Sequence, residues 1–373
     1  MKNENLLYEI GLTLVKGIGP VIAKQLVDNL TDISLLFTEK KQMLERIPGL
    51  SRRLINEIKN PQILKRAEQE ILFLERSGCE ALFLTSKNYP QRLRDCPDAP
   101  VMLYYRGNAN LNTSKIVSIV GTRNANAYGR DVTNALIADL KKSYPDILIV
   151  SGLAYGIDIV AHRAALKEEV QTVAVLAHGL DRIYPPAHRP VAIKMLNQGG
   201  LLTEFMSETN PDRPNFVKRN RIVAGIADCT VVVQSAEKGG ALITAEICSS
   251  YNRDLFAYPG KIDDEYSKGC NSLIKSKKAA LITSAEDLLN EMNWNSNSKK
   301  CSFFPSVIQR TLFLNITEEE KELLDCIAKK ENVQLNTLAI EMNLSVSKLS
   351  ALLFELEMKG IIRCKAGGMY CVV

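Results

Sequence analysis

Between Phe216 and Arg221 the chain places an aromatic ring, three cations (Lys218, Arg219 and Arg221) and the amide of Asn220. Such a set can pair with phosphate oxygens and stack on a base, so it suits a phosphodiester chain better than a neutral metabolite. Two glycine turns upstream, Val120-Gly121-Thr122-Arg123 and Ser151-Gly152-Leu153-Ala154-Tyr155-Gly156-Ile157-Asp158, each follow an apolar run. Where such a turn opens a helix, its backbone N–H groups face an anion readily. Arg123 adds a planar cationic fork. A third turn, Lys238-Gly239-Gly240, also precedes a helical segment, and Thr244 in its first turn can donate to a phosphate oxygen. Arg182 and Arg189 extend the basic rim. The segment Gly121-Thr122-Arg123-Asn124-Ala125-Asn126 is not the G-x-G-x-x-G fingerprint, so a dinucleotide site is poorly supported.

Residues for catalysis are harder to find. Asp158 and His162 stand four apart on one helix and form the one candidate acid–base pair, but no nucleophile or metal ligand accompanies them. Asp158 is better explained by its favourable place in the first turn of a helix. His178 and His188 flank a loop and read as loop hydrogen-bonders. Glu246 is the carboxylate best placed to act on a nucleotide, although a helix-surface role explains it better. The reading assigns no catalytic residue, no cofactor and no metal site.

These side chains need a scaffold. Continuous apolar runs at Ile116–Val120, Ile147–Val150, Thr172–Ala177, Leu201–Thr203, Thr230–Val233 and Leu255–Ala257 predict strands covered on both faces. Helical segments such as Ile157–Lys167 and Ala241–Tyr251 lie between them. The alternation predicts a doubly wound parallel sheet, with the glycine turns at its carboxyl edge, where ligands bind. Ahead of it, Val101–Tyr105 reads as a strand.

The remainder organises around that sheet. Residues 1–65 read as small and helical. Val15-Lys16-Gly17-Ile18-Gly19-Pro20 and Arg46-Ile47-Pro48-Gly49-Leu50-Ser51 each read as helix, glycine turn, helix. The first resembles a helix-hairpin-helix, whose turn amides meet a DNA phosphate, and the second does so in part. A plain helical bundle with glycine-permitted turns accounts for them equally. Residues 66–292 form the sheet domain, ending in a helix at Ala285–Met292. A polar linker covers 293–312, and 313–373 follow as a small module. There Thr317 and Glu320 fit a capping box, Ser345 caps a third helix, and a hairpin turns at Ala366-Gly367-Gly368. Three helices and a hairpin make a winged helix.

The chain of 373 residues carries a mild net charge of +5, unevenly spread. Residues 317–373 hold 7 Lys and Arg against 9 Asp and Glu, while the rest holds 40 against 33, which places a polyanion site outside the C-terminal module. Nine cysteines include no C-x-x-C pair, as expected of reduced thiols in a cytoplasmic protein. No secretory or membrane-length apolar run is present.

Taken in order, Val120-Gly121-Thr122-Arg123, Ser151-Gly152-Leu153-Ala154-x-Gly156-Ile157-Asp158, Gly179-Leu180-Asp181-x-Ile183-Tyr184-Pro185, Phe216-x-x-Arg219-Asn220-Arg221-Ile222 and Tyr258-Pro259-Gly260 resemble the DprA family (also called Smf), the DNA-processing proteins of natural transformation. The resemblance spans about residues 80–280. It departs from the family's usual pattern at His178, Gln234-Ser235 and Gly239-Gly240. It implies an α/β chain: an extended Rossmann-like doubly wound parallel sheet, flanked by a small N-terminal SAM-like or helix-hairpin-helix-like domain and a C-terminal winged helix. It further implies a binding protein rather than an enzyme, one that holds and protects single-stranded DNA, dimerises through the Rossmann-like domain and helps load the RecA recombinase. Carried over motif by motif, the DNA pocket would use Gly121, Arg123, Ser151, Gly152, Phe216, Lys218, Arg219, Asn220 and Arg221, with Arg182, Gly239, Gly240 and Thr244 as further phosphate contacts.

Two other readings remain. Gly239-Gly240-x-x-x-Thr244-x-Glu246 is loosely similar to the P-G-G-x-G-T-x-x-E signature of LOG-like nucleotide phosphoribohydrolases, with Lys238 in place of the proline and Leu242 or Ile243 in place of the later glycine. A winged-helix transcriptional regulator is the third reading, although Glu355 and Glu357 on the candidate recognition helix suit a protein contact better than a major groove.

Overall fold

A computed structural model describes residues 2–30, 32–47, 49–294, 317–328, 330, 333–365 and 368–372. They divide into two compact units, 1–281 and 282–373.

The larger unit is built on nine strands: β1 (Glu80–Phe83), β2 (Met102–Gly107), β3 (Ile116–Val120), β4 (Leu148–Ser151), β5 (Gln171–Val175), β6 (Gly199–Thr203), β7 (Cys229–Val232), β8 (Asp254–Ala257) and β9 (Ala280–Leu281). They lie in the order β1-β2-β6-β5-β4-β3-β7-β8-β9. From β6 to β9 every neighbouring pair is parallel, and β1 and β2 add an antiparallel edge beside β6. The parallel part starts at β3, winds outward through β4, β5 and β6, then crosses back to place β7 on the other side of β3. That reversal makes the carboxyl edge around β3 the topological switch point of a doubly wound sheet. The runs expected as strands are wholly buried in β3, β4 and β7, because helices cover both faces and leave no polar face to alternate with. Helices Ala127–Ser143 and Ile157–Lys167 pack side by side, as do Arg213–Gly225 and Gly240–Ser250.

Residues 2–58 carry five helices, at Lys2–Leu14, Pro20–Asn29, Ser34–Thr38, Lys41–Leu44 and Arg52–Ile58. Helix Pro61–Ser77 runs through the expected boundary at 65/66 and carries one apolar face from the first helices to the sheet. Arg66 reinforces the join by donating to Ser207 O at 2.7 Å, while Glu70 accepts from the Ser207 hydroxyl at 2.5 Å. The helical segment therefore groups with the sheet as one unit. Helix Ala285–Glu291, expected to finish the sheet domain, groups instead with the C-terminal unit.

That C-terminal unit holds helices Glu318–Ala328, Leu335–Met342 and Val346–Met358, and a three-stranded antiparallel sheet of β10 (Val333–Gln334), β11 (Ile362–Lys365) and β12 (Met369–Val372) in the order β10-β12-β11. This is the expected winged helix. Thr317 and Glu320 make the reciprocal capping contacts, and the Ser345 hydroxyl accepts from Lys348 N. Trp294, the one tryptophan of the chain, is buried and donates to Gln334 Oε1 at 3.0 Å. The expected linker lies outside the described residues from 295 onward, as do Pro48 of the second glycine turn and 366–367 of the hairpin. No single helix among the described residues is long and apolar enough to cross a membrane.

One buried ion pair ties the loop system to the sheet. Arg92 Nε lies 2.7 Å from Asp228 Oδ1, with both side chains almost fully buried. The other guanidinium nitrogens donate to Thr113 O and Ser114 O, each at 3.0 Å, and Asp228 Oδ2 accepts from Ile116 N at 2.8 Å. The pair thus fixes the entry to β3 against the entry to β7. Arg92→Met would strand the Asp228 carboxylate without its counter-charge, so the expected loss of stability is about 3–5 kcal/mol. Urea denaturation followed by circular dichroism reads it.

Candidate nucleic-acid interface

At the switch point a cleft of about 770 Å³ opens between the ends of β3, β4 and β7. Most of its walls come from three sources. The turns after β3 and β4 bring Gly121, Thr122, Arg123, Asn124 and Gly152. Helix Arg213–Gly225 brings Phe216, Arg219, Asn220 and Val223, and the turn opening helix Gly240–Ser250 brings Lys238, Gly239, Gly240 and Thr244.

The helix explains how one cationic run serves several purposes. At 100° per residue, Phe216, Arg219, Asn220 and Val223 share one face, and that face lines the cleft. Arg219 is buried beneath the surface. Its guanidinium donates to Gly152 O at 2.6 Å and to Val175 O, at the carboxyl ends of β4 and β5. A side chain at Gly152 would put its Cβ 2.3 Å from Arg219 Nη1, so only glycine admits this contact. Asp158, also buried, supplies the balancing charge. Burial raises the Asp158 carboxyl above its ordinary range, and Arg219 opposes that rise.

Above Arg219 sits the Phe216 ring, with the Arg219 guanidinium 6.0 Å and the Arg123 guanidinium 5.8 Å from its centroid. The exposed Tyr184 ring meets it edge-on at 5.9 Å. An aromatic beside guanidiniums can offer stacking and cation–π contact together. Opposite, Asn220 Nδ2 and Thr244 Oγ1 both donate to Gly240 O, at 3.4 and 3.1 Å, and so hold the turn that lines this side of the cleft. Arg213 and Lys238 complete the cationic lining.

Five expected residues lie elsewhere, among them Arg189, which is exposed and outside the cleft lining. Ser151 is fully buried and its hydroxyl donates to Ile119 O at 2.6 Å, joining adjacent strands. Arg221 points from the opposite side of the helix, where it pairs with Glu204 and donates to Asp98 O. Lys218 is exposed outside the cleft lining, close enough to Glu204 to oppose the burial-driven rise of that carboxyl. Arg182 is held by Asp181 at 2.8 Å and by Asn210 at 2.6 Å. In their place stand Arg213 and Lys238. Lys238 was visible as the first residue of a glycine turn, whereas nothing local to Arg213 distinguishes it from any helix-opening cation.

The acid–base alternatives do not assemble. His162 is fully buried, with Nδ1 2.8 Å from a Thr172 hydroxyl that itself donates to Ile149 O. Nδ1 is therefore the donor, and the ring is neutral, its pKa pushed down to about 3 by burial, with Arg219 and His188 adding to the fall. Glu246 is exposed and outside the cleft lining. His178 and His188 make the expected loop contacts, to Gly179 O and Leu153 O, each at 2.8 Å. Among the described residues no group of three or more His, Cys, Asp or Glu side chains is placed to hold a metal.

Fold and cleft together define a Rossmann-like protein with a cationic switch-point site and an appended winged helix. The model of the family described as DNA recombination-mediator protein A matches residues 80–293, and that of the DprA winged helix domain matches 315–368. The chain belongs to the DprA/Smf family of DNA-processing recombination mediators. It is 29% identical to Protein Smf of Synechocystis over 99% of both chains. Its structure is similar to that of DNA processing protein A from Streptococcus pneumoniae, with TM-score 0.62 and 31% identity over 76% of this chain and 97% of the other. It is also similar to DNA processing protein A from Helicobacter pylori, a protein with a unique single-stranded DNA binding mode, with TM-score 0.52 and 28% identity over 58% of this chain and 96% of the other.

Two variants probe the packing under the cleft. Gly152→Ala displaces the Arg219 guanidinium and leaves buried carbonyls unpaired, so urea denaturation is expected to show a loss of about 2–4 kcal/mol. His162 takes up its proton in the unfolded chain near 6.5 but in the folded one only near 3. Stability is therefore lost progressively as pH falls from about 6.5 to about 3, with His162 contributing a slope of about 1.4 kcal/mol per pH unit. His162→Asn is expected to remove that one-proton share; equal slopes in both proteins would overturn it.

Proposed function

We propose that the switch-point cleft binds single-stranded DNA without regard to sequence. The phosphates are held by Arg123, Arg213, Lys238 and the amides at Gly121, Gly239 and Gly240, with Asn220 and Thr244 beside them. A base stacks at Phe216. Arg219 supplies positive potential from below while keeping Gly152 and the helix in place. The observation that carries this reading is the Phe216 ring in the cleft lining, with the Arg123 guanidinium 5.8 Å and the Arg219 guanidinium 6.0 Å from its centroid. Backbone contacts give affinity for any strand, and stacking accepts any base. The single-stranded DNA binding mode of the Helicobacter pylori relative supports the same ligand class.

Membership of the family supports a wider role of the following kind. The protein acts in the cytoplasm as a recombination mediator that protects incoming single strands and helps load RecA onto them, working as a homodimer through its sheet-bearing unit. It does so by binding rather than by catalysis. The absence of Glu246 from the cleft lining and the separate hydrogen bonding of Asp158 and His162 fit that reading.

The test is fluorescence anisotropy with labelled single strands of unrelated sequence across a salt series. Arg123→Ala and Phe216→Ala are each expected to weaken binding roughly tenfold, equally for all sequences. The Arg123 variant alone should also flatten the log–log salt dependence, by about 0.7 for one lost phosphate contact. Arg182→Ala should change neither. Wild-type affinity in both cleft variants would refute the assignment.

A further inference from the structure

We propose that Tyr184 is a second base platform beside Phe216, and that His178 is the positioning residue that holds it there. The inference rests on the cleft reading above and extends it along the path of the strand. Tyr184 lines the cleft, yet its side chain is turned to solvent, with 44% of the residue exposed. Its neighbours in the chain are anchored: Ile183 packs on the cluster around Leu153 and Leu176, and Pro185 is buried. The Tyr184 and Phe216 rings meet at 64°, with 5.9 Å between centroids. Rings at that angle do not continue one stack. They give successive bases a platform each, with a bend in the strand between them.

His178 fixes the backbone beneath the Tyr184 ring. Its imidazole is buried, with Nδ1 2.8 Å from Gly179 O. A carbonyl only accepts, so Nδ1 carries the proton, and the bare Nε2 accepts from Tyr184 N at 3.2 Å. Burial lowers the pKa of the ring and keeps it in this neutral form. The root of the loop is tied down as well, since the Thr203 hydroxyl donates to His178 O at 2.9 Å and Gly179 N donates to Thr209 O at 3.3 Å. At the far end His188 N donates to Pro185 O at 3.0 Å, and His188 Nδ1 donates to Leu153 O at 2.8 Å. An exposed ring on so fixed a backbone has little freedom left to lose when a base stacks on it.

The platform also gives the site a direction. Tyr184 follows β5, Arg123 follows β3 and Lys238 follows β7. In the sheet order β5-β4-β3-β7, three interstrand steps of about 4.8 Å separate the outer two of these. A single nucleotide does not cover that span. The strand therefore runs from Lys238 past Phe216 to Tyr184.

The experiment measures anisotropy of labelled oligothymidine, and of a labelled abasic strand of equal length, with the full chain. Tyr184→Ala is expected to weaken oligothymidine binding roughly tenfold without changing its salt dependence, and Tyr184→Phe to stay within about twofold of wild type. On the abasic strand Tyr184→Ala and wild type should bind alike, because no base is there to stack. His178→Asn keeps a donor for Gly179 O but removes the acceptor for Tyr184 N. It should weaken oligothymidine binding roughly threefold or more, and not at all when Tyr184→Ala is already present. His178→Gln, which restores an acceptor near the Nε2 position, should recover the loss. Wild-type affinity in Tyr184→Ala alongside losses in Arg123→Ala and Phe216→Ala would overturn the platform and leave the cleft standing. Wild-type affinity in all three would overturn both. An equal loss on the abasic strand would assign Tyr184 to loop packing, and additive losses for His178 and Tyr184 would end the positioning role.

Discussion

A single guanidinium organises the centre of this molecule. The carboxyl ends of β4 and β5 present carbonyls at the rim, beyond the reach of the ladder, and such groups cannot be left unpaired under a buried helix. Arg219 meets two of them, Gly152 O and Val175 O, and takes its counter-charge from Asp158. The bond network fixes the rotation of helix Arg213–Gly225 about its axis. With that rotation set, Phe216 and Asn220 must face the cleft and Arg221 must face away, toward Glu204. Charge, aromatic platform and glycine turns thus share one cause.

The same arrangement separates structural cations from those open to solvent. Arg92, Arg219 and Arg221 are buried and satisfied by carbonyls and carboxylates within the protein. Arg123 and Lys238 stand at the surface, where side chains move and counter-ions exchange. A buried guanidinium keeps its charge because it has lost water but gained fixed partners. The field in the cleft therefore has a preorganised floor and an adaptable rim.

The sheet was legible because its signal is local. A strand covered on both faces needs an unbroken apolar run, and Ile116–Val120 is one in both sequence and structure. The capping residues Thr317 and Ser345 were readable for the same reason, since a cap acts within one turn. Which cation faces which way was not. Lys218, Arg219 and Arg221 are similar by type, and the sequence order shows only that they cannot share a face. Their sorting depends on Gly152, Asp158 and Glu204, which are distant in the chain. Arg213 was missed because its position matters through the turns after β3 and β4. The 65/66 boundary failed because helix Pro61–Ser77 buries one continuous face against both the helices before it and the sheet after it.

Trp294 has a further consequence. The chain holds one tryptophan and 12 tyrosines, of which Tyr370 alone lies beyond Leu281. Indole emission thus arises wholly from the winged-helix unit, where the ring is packed and hydrogen-bonded to Gln334, while phenol emission comes almost wholly from the sheet-bearing unit. The protein carries its own two-colour optical label, and the melting of each half can be watched independently in the unmodified polypeptide.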